Sequence, residues 1–174
     1  MNMQTTNEPK KRTVTRIGDI FCAEIDNQYK VFLQYIAKDE NMLCVPVIRV
    51  FKKKYPIDYV PEMNEILLGE VNFYSHTVPK IGIDCGLWYK VGTSKDIGDL
   101  TTFRFITSND VGNGMLDYLS KSWRMWTLQG PPCSIGELPV EYYDNTYMGY
   151  IFPASDIIHQ IEHGKSIFRY PRYK

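Results

Sequence analysis

Polar and apolar positions alternate through the first third of the chain in a pattern that predicts three successive β-strands. The first runs from Asp19 to Ile25, and Asp26-Asn27 follows as a turn pair that tolerates positive φ. The second, Tyr29 to Ala37, places Tyr29, Val31, Leu33, Tyr35 and Ala37 on one face by period-two alternation. Lys38 to Asn41 makes a polar turn, and Met42 to Phe51 supplies the third strand. Lys52-Lys53-Lys54 ends that strand, and Pro56 blocks its extension.

Downstream the pattern is mixed. A short helix is predicted from Pro61 to Leu68, with proline at the first helical position, a stripe of Met63, Ile66 and Leu67, and Gly69 as the stop. Glu70 to Val78 and Ile81 to Gly92 read as strand, the second interrupted by Gly82 and Gly86. Leu100 to Thr107 is another strand, with Phe103 and Phe105 sharing a face. Between Val111 and Ser122, Met115, Leu116 and Leu119 have helical spacing, but Gly112 and Gly114 weaken the start. Trp123 to Leu128 reads as a strand or an extended packing segment. Gln129 to Pro153 holds four prolines and three glycines, which predicts a long irregular loop with short strands inside it, and such loops are often functional. Ala154 to His163 is the clearest helix, with Pro153, Ser155 and Asp156 as start signals and Gly164 as the stop. Together these elements predict a mainly β fold: a strongly bent antiparallel sheet or open barrel with two or three short helices.

At 174 residues the chain has enough sequence for one domain with a real core. Met1 to Arg12 is polar and lacks an apolar run, so it reads as a disordered tail rather than a secretory signal, leaving residues 13–174 as a single β-rich domain. No apolar run approaches the roughly 18 residues of a membrane span, so no membrane association is expected. Twenty basic side chains balance twenty acidic ones, and this neutrality argues against a dedicated nucleic-acid binder without excluding a local patch. The four cysteines, Cys22, Cys44, Cys85 and Cys133, are scattered, and read as reduced, buried small side chains of a cytoplasmic protein. A disulfide between Cys22 and Cys44 on neighbouring strands is the alternative.

Candidate chemistry is sparse. His159-Gln160-Ile161-Glu162-His163 matches the H-x-x-E-H pattern of inverted zinc peptidases, in which two histidines one turn apart bind zinc and the glutamate activates water. A helical wheel opposes this reading, because Ile157, Ile158 and Ile161 claim the core face and turn the histidines to solvent. No Asp or Glu follows His163 to serve as a third ligand, which leaves only an upstream residue for that place, so a zinc hydrolase through His159, Glu162 and His163 is the lesser alternative. His76, Asp84 and Cys85 hold the ingredients of a nucleophile pair, but no nucleophile signature surrounds Cys85. Gly112 and Gly114 lack the lysine of a phosphate loop. No catalytic residue, metal ligand or cofactor is therefore expected.

Binding chemistry is better represented. Lys165 to Lys174 interleaves basic and aromatic residues and would suit a small nucleic-acid arm on a β-barrel, or a last edge strand with solvated charges. Trp88, Trp123 and Trp126, with Arg124, could anchor a partner, although at least two of the three are expected in the core. Glu141-Tyr142-Tyr143-Asp144-Asn145-Thr146-Tyr147 is acidic and tyrosine-rich within the irregular region. Tyrosine supplies contact area at low entropic cost and the acids suit a basic partner, against the alternative of an ordinary half-buried strand.

Arg16-Ile17-Gly18-Asp19-Ile20-Phe21, followed by a strand, a turn and the aromatic strand Tyr29 to Tyr35, resembles the immunity-protein-26 family of bacterial toxin systems. The likeness covers Thr13 to Thr107, with Ile17 standing where members often carry proline. The resemblance implies a non-enzymatic protein of the bacterial cytoplasm that binds and neutralises a toxin protein. Tyr142, Tyr143, Asp144 and Tyr147 are the expected contact residues for such a partner.

Overall fold

A computed structural model describes residues 13–109 and 120–164. The expected meander opens the fold. Strand β1 (Asp19–Ile25) turns back into β2 (Tyr29–Lys38), which pairs with β3 (Pro46–Phe51), all antiparallel. Asp26 and Asn27 take φ of 49° and 55° at the turn, the left-handed values that short polar side chains tolerate. A two-residue strand, β4 (Tyr55–Pro56), folds back onto the start of β2. Helix α1 (Met63–Leu67), strand β5 (Val71–His76), helix α2 (Pro79–Asp84) and strand β6 (Tyr89–Thr93) follow. The first sheet runs in the order β5-β3-β2-β1-β6, with β4 attached to β2.

The second sheet comes from the C-terminal half. It contains β7 (Arg104–Ser108), β8 (Trp123–Thr127), β9 (Gly130–Gly136) and β10 (Thr146–Met148), in the order β10-β7-β8-β9. Pairing is antiparallel except between β10 and β7, which are parallel. A 3-10 helix, Val140–Asn145, leads into β10, and helix α3 (Ala154–His163) closes the described chain. A parallel bridge from His76 to Ile151 joins the β5 edge of the first sheet to the segment leaving β10. Among the described residues both sheets are open rather than closed on themselves.

Burial on both faces explains why the first sheet tolerates so few polar positions. One face of β1 and β2 presents Phe21, Ala23, Ile25, Val31, Leu33 and Tyr35 to Ile157 and Ile161 of α3, with Trp88, Ile106, Trp123 and Met148 in the same cluster. The other gives Ile20, Cys22 and Phe32 to Phe51, Tyr55 and Ile66 of α1. A third cluster sets Ile36, Ala37 and Val47 against Phe103, Phe105 and Trp126 of the second sheet. Each fully buried Phe, Leu or Ile contributes about 1.5–3 kcal/mol of transfer free energy, so this two-sided packing dominates stability.

Several sequence expectations need correction. Ala37 does not share a face with Leu33 and Tyr35, because a register shift between Tyr35 and Ala37 sends it to the opposite cluster. The third strand starts at Pro46 rather than Met42. Backbone N–H groups of Asn41 and Met42 are taken by the Asp39 carboxylate, and Cys44 adopts φ of 56°, so this stretch is a turn. Residues 81–84, expected to open a strand, lie instead in helix α2, since Pro79 starts a helical turn and Gly82 lets the Trp88 ring lie against it. Of the short strands expected within Gln129 to Pro153, the longer is the seven-residue edge strand β9, whose Pro131 and Pro132 fall where the pairing with β8 shifts register. All four cysteines are free, and only Cys22 is buried. In agreement with the expectation of at least two, all three tryptophans are core. Met1 to Arg12, the Val111 to Leu119 spacing and the Lys165 to Lys174 arm lie outside the described residues. No helix among the described residues is long and apolar enough to cross a membrane.

Candidate partner-binding surface and the buried polar centre

The acidic, tyrosine-rich segment is held on the flank of the second sheet. Pro139 starts the 3-10 helix by accepting a bond from the Tyr142 N–H, and the buried Thr146 hydroxyl donates back to the Tyr142 carbonyl. From there β10 pairs Thr146, Tyr147 and Met148 with Arg104, Phe105 and Ile106. Gly149 follows because the Trp126 ring fills the space a side chain would need, with a Cβ placed there only 1.9 Å from Cη2.

This frame distributes the four expected contact residues unequally. Asp144 is exposed, whereas Tyr142 and Tyr143 are half-buried and pack against the main core cluster. The Arg104 guanidinium sits 4.2 Å from the centre of the Tyr142 ring, a cation–π contact that fixes the ring. Tyr147 is also half-buried, edge-on to Tyr74 at 5.3 Å and to Phe103 at 6.5 Å. Burial pushes its phenol up to about 12, with Tyr74 adding to the effect, and burial with Glu137 nearby also raises Tyr143. Both phenols therefore stay neutral near pH 7. The segment offers neutral hydroxyls and rings beside the exposed carboxylates of Glu141 and Asp144.

Two buried polar groupings were not legible as sites. In the first, Asp39, at the end of β2, is fully buried; its Oδ2 accepts 2.8 Å bonds from His76 Nε2 of β5 and Trp126 Nε1 of β8. Its Oδ1 accepts the Asn41 and Met42 N–H groups. Burial pushes the Asp39 carboxyl up, but the bonds from His76, Trp126 and the backbone outweigh it and hold the carboxyl at about 2. His76 is fully buried, and its Nδ1 has no hydrogen-bond partner among the described residues. His76 therefore meets Asp39 and not Cys85, in keeping with the missing nucleophile signature, although Cys85 is exposed at the end of α2 rather than buried.

The second grouping surrounds the Gly18-Asp19 opening. Gly18 takes φ of 97°, and a Cβ there would lie 2.4 Å from the Ser94 carbonyl oxygen. Its N–H donates to Tyr35 O, and its carbonyl accepts from Ser94 N and Gln34 Nε2. Asp19 is buried, bonded to Arg16 N and Thr93 Oγ1 and paired with Lys90 at 2.7 Å. Arg49, also buried, donates to Gln34 Oε1 and to the Asp96 carbonyl. These bonds pin the 94–98 loop across the sheet.

The helix-borne motif behaves as its wheel predicts. Ile157 and Ile161 are buried, while His159, Glu162 and His163 are exposed on the other side of α3. One candidate ligand atom from each of the three lies within 4.8 Å of the others, and among the described residues no further acid or histidine joins the group.

Comparison of the chain with protein-family models, curated proteins and solved structures finds no match.

Proposed function

We propose that this chain is a non-enzymatic, immunity-type protein that binds and neutralises a toxin protein in the bacterial cytoplasm, with Tyr142, Tyr143, Asp144 and Tyr147 in the contact surface. The observation that carries the reading is the bracing of these side chains. Three tyrosines in six residues are half-exposed yet held by Arg104, Tyr74 and the core cluster, beside an exposed aspartate. Braced aromatic side chains lose little rotamer freedom on binding, which favours affinity. Carboxylates beside them suit a basic surface, such as that of a toxin acting on a polyanion. The toxin-specific part of the reading rests on the likeness of Arg16 to Phe21 and Tyr29 to Tyr35 to the immunity-protein family.

The test is affinity capture from source-cell and neighbouring-strain lysates, followed by co-expression of any stoichiometric partner with this chain. Growth rescue by the intact chain, lost in the triple variant Tyr142→Ala, Tyr143→Ala, Asp144→Ala, is the expected result. Tyr147 is tested separately as Tyr147→Phe, which keeps the ring against Tyr74. Unchanged partner affinity in the triple variant overturns the assigned surface, and a captured protein whose toxicity is unaffected by co-expression overturns neutralisation.

A further inference from the structure

We propose that α3 carries a binding site for a divalent transition cation, made by His159, Glu162 and His163. The three residues stand at i, i+3 and i+4 and so share one face of the helix, opposite the buried Ile157 and Ile161. One candidate ligand atom from each lies within 4.8 Å of the others, and Glu162 Oε2 stands 3.8 Å from His163 Nδ1. Tetrahedral zinc with bonds near 2.0–2.1 Å needs ligand separations of about 3.3 Å. Rotation of these exposed side chains brings His163 Nε2 and the Glu162 carboxylate to a shared ion, and nothing in the core must move.

Hydrogen bonding supplies an independent observation. His163 Nδ1 lies 3.0 Å from the His159 carbonyl oxygen, an acceptor only, so Nδ1 carries the proton and donates. That bond leaves Nε2 with the free lone pair in the neutral ring. A ligating histidine that donates its other nitrogen to a backbone carbonyl is the usual outer-shell arrangement of metal sites, because it fixes tautomer and ring direction. The two imidazoles stack 4.2 Å apart at 22°.

Donor chemistry selects the ion class. Two imidazoles and one carboxylate favour Zn²⁺, Ni²⁺ or Cu²⁺ over Mg²⁺, which prefers oxygen ligands. Glu162 acts here as a ligand and not as a base, and the fourth position is open to water. This site is separate from the H-x-x-E-H hydrolase reading, which needs the glutamate free.

The chain contains three histidines, and the remaining one, His76, is fully buried against Asp39, so imidazole ligation has one address. The experiment is calorimetric titration of the tag-free full chain with Zn²⁺ alone, accompanied by NMR of the imidazole nitrogens. One saturable site is expected, with two of the three imidazole signals moving and Mg²⁺ producing no response. His159→Ala and His163→Ala should each weaken binding at least about tenfold, with unchanged far-ultraviolet dichroism confirming that α3 still folds. The variant Cys44→Ser, Cys85→Ser, Cys133→Ser separates imidazole from exposed thiol binding and should retain the site. Absence of saturable zinc binding, binding that survives both histidine variants, or loss in the cysteine variant overturns the proposal.

Discussion

At the scale of single residues, the strongest constraints are polar. Asp39 satisfies the buried His76 and Trp126 side chains and two partly buried backbone N–H groups at once. Asp39→Ala strands those donors and is expected to cost about 3–5 kcal/mol, measured by urea denaturation. Asp39→Asn retains part of the bonding and should fall between that variant and the parent. Gly18→Ala is expected to be comparably harmful, because positive φ and a backbone oxygen 2.4 Å from the new Cβ act together. Near-parental stability of Gly18→Ala would show that the β1 corner can rearrange. The Gly-Asp opening is thus a structural joint on which β1, β2 and the 94–98 loop converge. Nothing local in the sequence announced the Asp39 centre, since its side-chain partners lie 37 and 87 residues away and only the fold unites them.

At the scale of elements, legibility followed the strength of the local signal. β1 and α3 fall where period and caps place them: Asp19–Ile25 before a left-handed turn pair, and Ala154–His163 before Gly164 at φ of 65°. Failure came where tertiary contacts overrode local pattern. Ile81 and Ile83 look like strand residues, yet α2 forms because Trp88 folds over it, its indole donating 2.9 Å to the Pro79 carbonyl. A Cβ on Gly82 would sit 2.0 Å from that ring. Gly82→Ala is therefore expected to expel Trp88 and cost about 2–3 kcal/mol, visible as a red-shifted tryptophan emission with a lowered melting temperature; an unshifted spectrum would refute this packing account. The candidate contact segment was legible as composition, but its division into braced tyrosines and a solvated Asp144 was not. Arg104 and Tyr74, which do the bracing, come from distant strands.

At the scale of the whole molecule, the two sheets share an apolar cluster, the His76–Ile151 bridge and the Asp39 centre, so acid should unfasten them together. The sign follows from the carboxyl. Asp39 is held at about 2 in the folded chain, below its ordinary value of 3.8. A depressed carboxyl lends stability that is fully present above the unfolded value and is lost as pH falls through the folded one. The window is thus from about pH 5 down to about pH 2, and the contribution is about 2 kcal/mol. Because the same carboxylate bonds to β5 and β8, its protonation weakens the first sheet's edge and the second sheet's attachment in one event. Urea midpoints measured at pH 6 and pH 3 should therefore fall more for the parent than for Asp39→Asn, which has no carboxylate to protonate there. Near- and far-ultraviolet dichroism should report the same midpoint in each titration, since Trp126 and β5 are released by one group. Parallel losses in parent and variant would assign the acid sensitivity elsewhere, and separated midpoints would mean that the sheets unfold independently.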